Sequence, residues 1–261
     1  MKPSWMTYGV LKDLSRKGLL AILKDHRFEG VEFRTDANHG HSVEASIGSA
    51  DRKRVVADCA EAGIKIACVA TGNRYHDPDP TSLRRNIEET KARIDLAADL
   101  GAPRVRVFGN NFPVDVPHEK TIEQVAEALQ ELCEYGAQNG VKPCLELHGE
   151  FDWRACKEVA EGVDHDNFGL VWNSIPQDIL DGSVKTALDA VWPWLDHIHL
   201  HDIAGDGYPY RELFQLLCER SYRGYLSAEV ERRPDKPVGD FWMFVAYYSD
   251  LFRAYVDLGR R

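Results

Sequence analysis

Eight short apolar runs alternate along the chain with stretches in which apolar residues recur every three or four positions. The runs occupy residues 6–10, 30–34, 65–70, 104–108, 142–148, 168–172, 197–201 and 226–231 and are rich in Val, Ile, Leu and Phe. Short, nearly continuous apolar runs bounded by turn signals predict strands buried on both faces, as in a parallel sheet. Pro143 stands at the start of its run, where a missing N–H is tolerated. Helical periodicity covers residues 49–61, 81–100, 121–138, 155–163, 183–191, 210–220 and 240–258. Glycines at 30, 63, 101, 140 and 224 fall just before strands, where a helix must stop and the chain turn back.

Strand–helix alternation allows an open doubly wound sheet or a closed barrel. Eight units in 261 residues predict an α/β fold of the (β/α)8 TIM barrel type, a single domain spanning residues 1–261. Neither a GxGxxG nor a Walker A stretch follows the first strand, which removes the main argument for a nucleotide-binding open sheet.

Charge narrows the partners. The formal net charge is −10, and only short basic clusters appear, such as Arg52-Lys53-Arg54 and Arg232-Arg233, set among acids. These read as solvated faces, so nucleic acid is not expected as a partner. No run of about 18 apolar residues is present to span a membrane. The opening residues lack the apolar core of a signal peptide, and the six cysteines are scattered without a CxxC pair. Together these predict reduced thiols in a cytoplasmic protein.

In a barrel of this kind chemistry sits where strands end and βα loops begin. The fifth, sixth, seventh and eighth runs carry Glu146, Asn173, His199 and Glu229 there, an oxygen- and nitrogen-rich set suited to a divalent metal. A carboxylate within a stretch as apolar as Pro143-Cys144-Leu145 needs a cation or hydrogen bonds, which points Glu146 and Glu229 to metal ligation or acid/base work. Asn173 brings an oxygen without charge. His197, His199 and His201 alternate onto one side, with His199 as the ligand and His201 and Asp202 nearer the mouth as substrate groups. Expected substrate contacts also include Glu32 and Arg34, two apart on one strand face, and His41, which with His39 lies in a glycine-containing loop able to cover the site. Arg106 and Phe108 share a face of the fourth strand, with Phe108 as an apolar wall for a sugar ring, and His148 shares a face with Glu146.

The stretches GVEFR, GAPRVRVF, LELH, IHLHD and GYLSAEVE resemble those of the xylose-isomerase-like TIM barrels, the sugar phosphate isomerase/epimerase group, over essentially the whole chain. The resemblance implies one divalent ion, Mn2+ first with Mg2+, Co2+ or Zn2+ as alternatives, held at Glu146, Asn173, His199 and Glu229. It departs at Asn173, where the group usually has Asp, and at His201, where it commonly has Lys. It further implies a small carbohydrate substrate and proton transfer through an enediolate between Glu146 and Glu229, as in an isomerase or epimerase. A lyase or hydratase on keto-sugars, a zinc endonuclease, and a barrel that binds a ligand without turnover are the competing readings. The sugar, its phosphorylation and homo-oligomerisation are left open.

Overall fold

The computed structural model describes residues 1–205, 207–231 and 241–261. Eight parallel strands close into a barrel in chain order, each hydrogen-bonded to the next and β8 to β1. The strands are β1 (Lys2–Met6), β2 (Gly30–Arg34), β3 (Lys65–Arg74), β4 (Arg104–Asn110), β5 (Lys142–Gly149), β6 (Gly169–Asn173), β7 (Leu195–Leu200) and β8 (Tyr225–Ala228). The helices are α1 (Arg16–Asp25), α2 (Ser49–Ala62), α3 (Pro80–Leu100), α4 (His118–Asn139), α5 (Trp153–Gly162), α6 (Lys185–Val191), α7 (Tyr210–Glu219) and α8 (Phe241–Gly259). Among the described residues no helix is long and apolar enough to cross a membrane.

Several boundaries differ from the sequence expectation. β1 lies at Lys2–Met6 rather than 6–10, with Pro3 second in it, because Lys2–Trp5 pair with β8 and Ser4–Met6 with β2. The turn that follows needs Gly9 at φ +64°, where a Cβ would meet the Val230 carbonyl oxygen at 2.1 Å. β6 begins at Gly169 rather than 168, β7 ends at Leu200 rather than 201, and β8 ends at Ala228 rather than 231. α1 adds a helix to the periodic stretches; the Ser15 side chain caps it by accepting from the Gly18 N–H. Residue 240, the expected start of the last helix, and the pair Arg232-Arg233 lie outside the described residues. Gly63, Gly101 and Gly140 end α2, α3 and α4 in the left-handed conformation, as their positions predict.

Two layers pack differently. One continuous apolar cluster fills the space between the helices and the outer face of the strands, and includes Val31, Phe33, Val69, Val105, Val107, Leu145, Leu147, Leu170, Trp172, Ile198, Leu200 and Leu226. Cys59, Cys133 and Cys156 belong to it. The alternate strand residues face the barrel axis and are largely polar. At the floor, Asp196 of β7 accepts from Arg104 Nε at 2.5 Å and pairs with Lys142 Nζ at 3.1 Å. Above them Glu32, His197 and Ser227 meet, all fully buried. Cys68 pairs in register with Glu32, and Cys144 with Arg106, so both thiols share the axial side. A polar axis in an apolar shell leads upward to the strand ends.

Candidate metal centre

Register and hydrogen bonding bring Glu146, Asn173, His199 and Glu229 together at the C-terminal ends of β5–β8. Asn173 stands beside His199 in the β6–β7 register, and the Glu229 N–H donates to the Leu200 carbonyl at 2.8 Å, which extends the barrel edge past β8. His199 Nδ1 lies 3.5 Å from Glu146 Oε1 and 3.3 Å from Glu229 Oε2. One donor atom from each of these three residues falls within 4.8 Å of the others.

The test of a metal site is whether its donor atoms lack other work. Oδ1 of Asn173 is buried with no hydrogen-bond partner among the described residues, and Glu146, His199 Nδ1 and Glu229 Oε2 meet one another and Arg106 in ion-pair contacts without well-aligned hydrogen bonds. Buried polar atoms are rarely left so. A cluster of such atoms on carboxylates, an imidazole and an amide is what a divalent cation satisfies. The residues fit the ion.

The other nitrogen of His199 fixes the ring. Nε2 faces Glu32, at 3.0 Å from Oε1 and 3.1 Å from Oε2, while His197 Nε2 meets Glu32 Oε2 at 2.8 Å. A ligating histidine ordinarily gives its second N–H to a carboxylate in this way, which sets ring orientation and raises basicity. Burial opposes charge on His199, but Glu32 and Glu146 outweigh it and hold its pKa well above the usual range. Burial likewise opposes charge on Glu32, and His199 and then His197 hold its carboxyl well below the usual range. His197 itself is pushed down by burial.

This placement corrects the expectation that Glu32 touches substrate. Glu32 has no exposed surface and both its oxygens are taken by histidines below the site. His41 is corrected for the same kind of reason. Its Nε2 is 3.0 Å from Thr7 Oγ1 and its Nδ1 accepts from the Val43 N–H at 3.0 Å, so neither ring nitrogen is left for a ligand. Burial pushes its pKa down to about 3, with the neighbouring His39 adding to the shift. His39 is half-buried and stacks edge-on against His41.

The remaining expected contacts cluster on the β2–β5 side. Arg106 is fully buried, its Nε 2.9 Å from Glu146 Oε2 and one Nη donating to the Thr71 carbonyl at 3.0 Å. Its guanidinium lies over the Phe108 ring at 4.1 Å, and Phe108 contacts the His148 ring with centroids 4.7 Å apart. Arg34 is half-buried at the end of β2. Beyond β7, His201 Nδ1 meets the Glu229 carbonyl at 3.1 Å, and Asp202 Oδ1 accepts from the Ala204 N–H at 3.1 Å.

One further group escaped the sequence reading. Trp172 Nε1 donates to Tyr208 Oη at 3.1 Å, and that hydroxyl donates to Asp178 Oδ2 at 3.0 Å. Asp178 is fully buried just after β6, and burial pushes its carboxyl up to about 7. The available signal was Trp172 itself, since a buried indole needs an acceptor.

A D-psicose 3-epimerase of Ruminiclostridium cellulolyticum is 26% identical over 183 residues, which cover 62% of this chain and 61% of that relative's length. Among solved structures, that of an L-ribulose 3-epimerase superposes with a TM-score of 0.82 at 18% identity, covering 100% of this chain and 96% of that one. The structure of the IOLI protein with a bound zinc atom superposes with a TM-score of 0.80 at 17% identity, covering 98% of each chain. At such identities the superpositions establish the shared fold. The profile of the xylose isomerase-like TIM barrels matches residues 20–241, and the chain belongs to that family.

Proposed function

We propose that the chain is a divalent-metal-dependent isomerase or epimerase acting on a sugar or sugar derivative at the mouth of the barrel. The observation that carries this reading is the meeting of donor atoms of Glu146, His199 and Glu229 within 4.8 Å, with the unpartnered Oδ1 of Asn173 on the neighbouring strand beside His199. The relatives named as sugar 3-epimerases support the substrate class, and the zinc in the IOLI structure supports the choice of a divalent ion. Mn2+ is the preferred ion, with Mg2+, Co2+ or Zn2+ as alternatives.

Bound at these residues, a divalent cation supplies a Lewis acid that polarises a carbonyl and acidifies the neighbouring C–H. The two glutamates then differ in what they can do. Glu146 is pinned by Arg106, and its side chain is 1% exposed. Glu229 is 15% exposed and opens further toward the mouth. Burial tends to raise its carboxyl, but the hydrogen bond and charge of His199 prevail and bring it down to about 2. Glu229 is therefore ionised across the neutral range, and a proton it takes from the substrate carbon makes it the acid that can return that proton, with Glu146 as the second carboxylate facing the site. General acid/base exchange of this kind contributes a factor of roughly 10²–10⁴.

The test is a screen of Mn2+-loaded protein against ketoses, keto-sugars and keto-acids in deuterated water. Deuterium should enter one substrate without change of its heavy-atom composition; a dehydrated product would instead identify a lyase. Glu229→Gln should abolish exchange and weaken Mn2+ binding, while Asn173→Asp should tighten Mn2+ by about tenfold through the added ligand charge. Failure of the wild-type protein to take up stoichiometric metal would sink the proposal. Unchanged affinity in Asn173→Asp would remove Asn173 from the ligand set.

A further inference from the structure

Three strands next to the metal-ligand cluster bring two guanidinium-bearing residues into one row. Arg34 of β2 is in register with Ala70 of β3, and Ala70 with Arg106 of β4. The residue between the two arginines is thus only a methyl group. The next axial position on β3 is Gly72, where a Cβ would sit 3.0 Å from the Arg34 Nη2 atom. Two small residues leave room for the Arg34 side chain to lie across β3.

The two arginines are not equally matched. Arg106 has the Glu146 carboxylate at 2.9 Å and the Thr71 carbonyl at 3.0 Å. Arg34 donates to the Thr35 carbonyl, and its nearest carboxylate, Asp36, is 3.9 Å away. Asp36 already holds Arg93 through its other oxygen. Glu44 spends its carboxylate on the N–H groups of Asp36, Ala37 and Asn38, and Glu146, the third acid acting on Arg34, is ion-paired with Arg106. Among the described residues the remaining Arg34 N–H groups have no protein acceptor, although its side chain is only 18% exposed. Burial, then the charge of Arg106, lowers the Arg34 pKa to about 10, a sign of a cation short of counter-charge.

A guanidinium fork is the side chain best suited to two oxygens of an anion. We infer that Arg34, beside Arg106 across Ala70 and Gly72, receives an anionic group of the substrate, so that the substrate is a sugar acid or a sugar phosphate rather than a neutral sugar. This rests on the isomerase/epimerase reading for the word substrate, but the anion site itself does not.

Two measurements separate the two claims. Acetate and inorganic phosphate, as minimal carboxylate and phosphate probes, are titrated calorimetrically into the metal-loaded wild-type, Arg34→Gln and Arg34→Lys proteins. One of the two anions should bind saturably, about tenfold or more weaker in Arg34→Gln, with partial recovery in Arg34→Lys. The anion that shows the difference tells carboxylate from phosphate. Equal binding to all three proteins, or no saturable binding to the wild type, overturns the inference. In the exchange screen, sugar acids or phosphates should then exceed the matching neutral sugars in kcat/KM, and Arg34→Gln should erase that margin chiefly through KM. Exchange of neutral sugars at equal efficiency also overturns it while leaving the isomerase reading intact. Arg34-dependent anion binding with no exchange of any sugar does the reverse.

Discussion

Glu32 shows how one residue outside the proposed ligand set can decide what that set does. It offers one carboxylate to two imidazoles, at 2.8 Å to His197 and 3.0 Å to His199, and so presents His199 Nδ1 to Glu146 and Glu229. Glu32→Gln keeps one acceptor oxygen but puts an NH2 group against a second N–H donor. The ring loses its anchor and part of its basicity. Mn2+ affinity should fall by roughly 10–100-fold, the usual cost of losing such a partner. Calorimetric titration checks this, with circular dichroism to show that the barrel is intact. Affinity within about twofold of wild type would mean that packing alone holds the ring. The residue's position on an inward strand face was legible in the sequence, but its role reads there as substrate contact. The cause is its partner: Glu32 and His197 are 165 residues apart, and only barrel closure brings β2 and β7 within reach. Glu146, His199 and Glu229 each sit at a strand end, the position barrel geometry marks in the sequence, and the closed barrel brings their donor atoms within 4.8 Å of one another.

At the scale of the element, periodicity located strands and helices well and their ends less well. β1 was displaced by four residues because Lys2-Pro3-Ser4 carries little apolar signal, and the segment is a strand only through pairing with β2 and β8. β7 stops before His201, whose N–H donates to the Tyr210 hydroxyl at 3.2 Å instead of joining the ladder. The segment after β6 carries its own titratable lock in Trp172–Tyr208–Asp178. The Asp178 carboxyl is raised in the folded chain to about 7 from 3.8. A raised pKa means that the folded state holds the proton more tightly. Its stabilising contribution is therefore full below the unfolded value and is lost as pH rises through the folded one. Between about pH 5 and pH 8 this group should withdraw on the order of 2 kcal/mol of stability. Asp178→Asn should flatten that part of the curve. Urea midpoints at the two pH values check it: an equal decline in both proteins would place the titration elsewhere.

Across the whole molecule the sequence reading of a single closed barrel agrees with the structure, since eight two-face-buried strands in this length admit few other packings. What it could not show is the division of labour between a polar axis and an apolar shell. That division sorts the thiols. Cys68 and Cys144 lie on the axial side, Cys59, Cys133 and Cys156 lie in the outer cluster, and all five are buried, while Cys218 is half-exposed on α7. Burial pushes Cys59 and Cys133 up to about 12 and the other three buried thiols well above their usual value, so little reactive thiolate forms. In native protein a disulfide reagent should modify at most Cys218 quickly; rapid reaction at two or more positions would contradict the buried placement. The five silent cysteines then serve as built-in reporters at two depths. Under mild denaturant, labelling of Cys59, Cys133 and Cys156 ahead of Cys68 and Cys144 would mean that helices peel away while the staves of the barrel stay joined. Simultaneous labelling would mean that shell and cask come apart in one event.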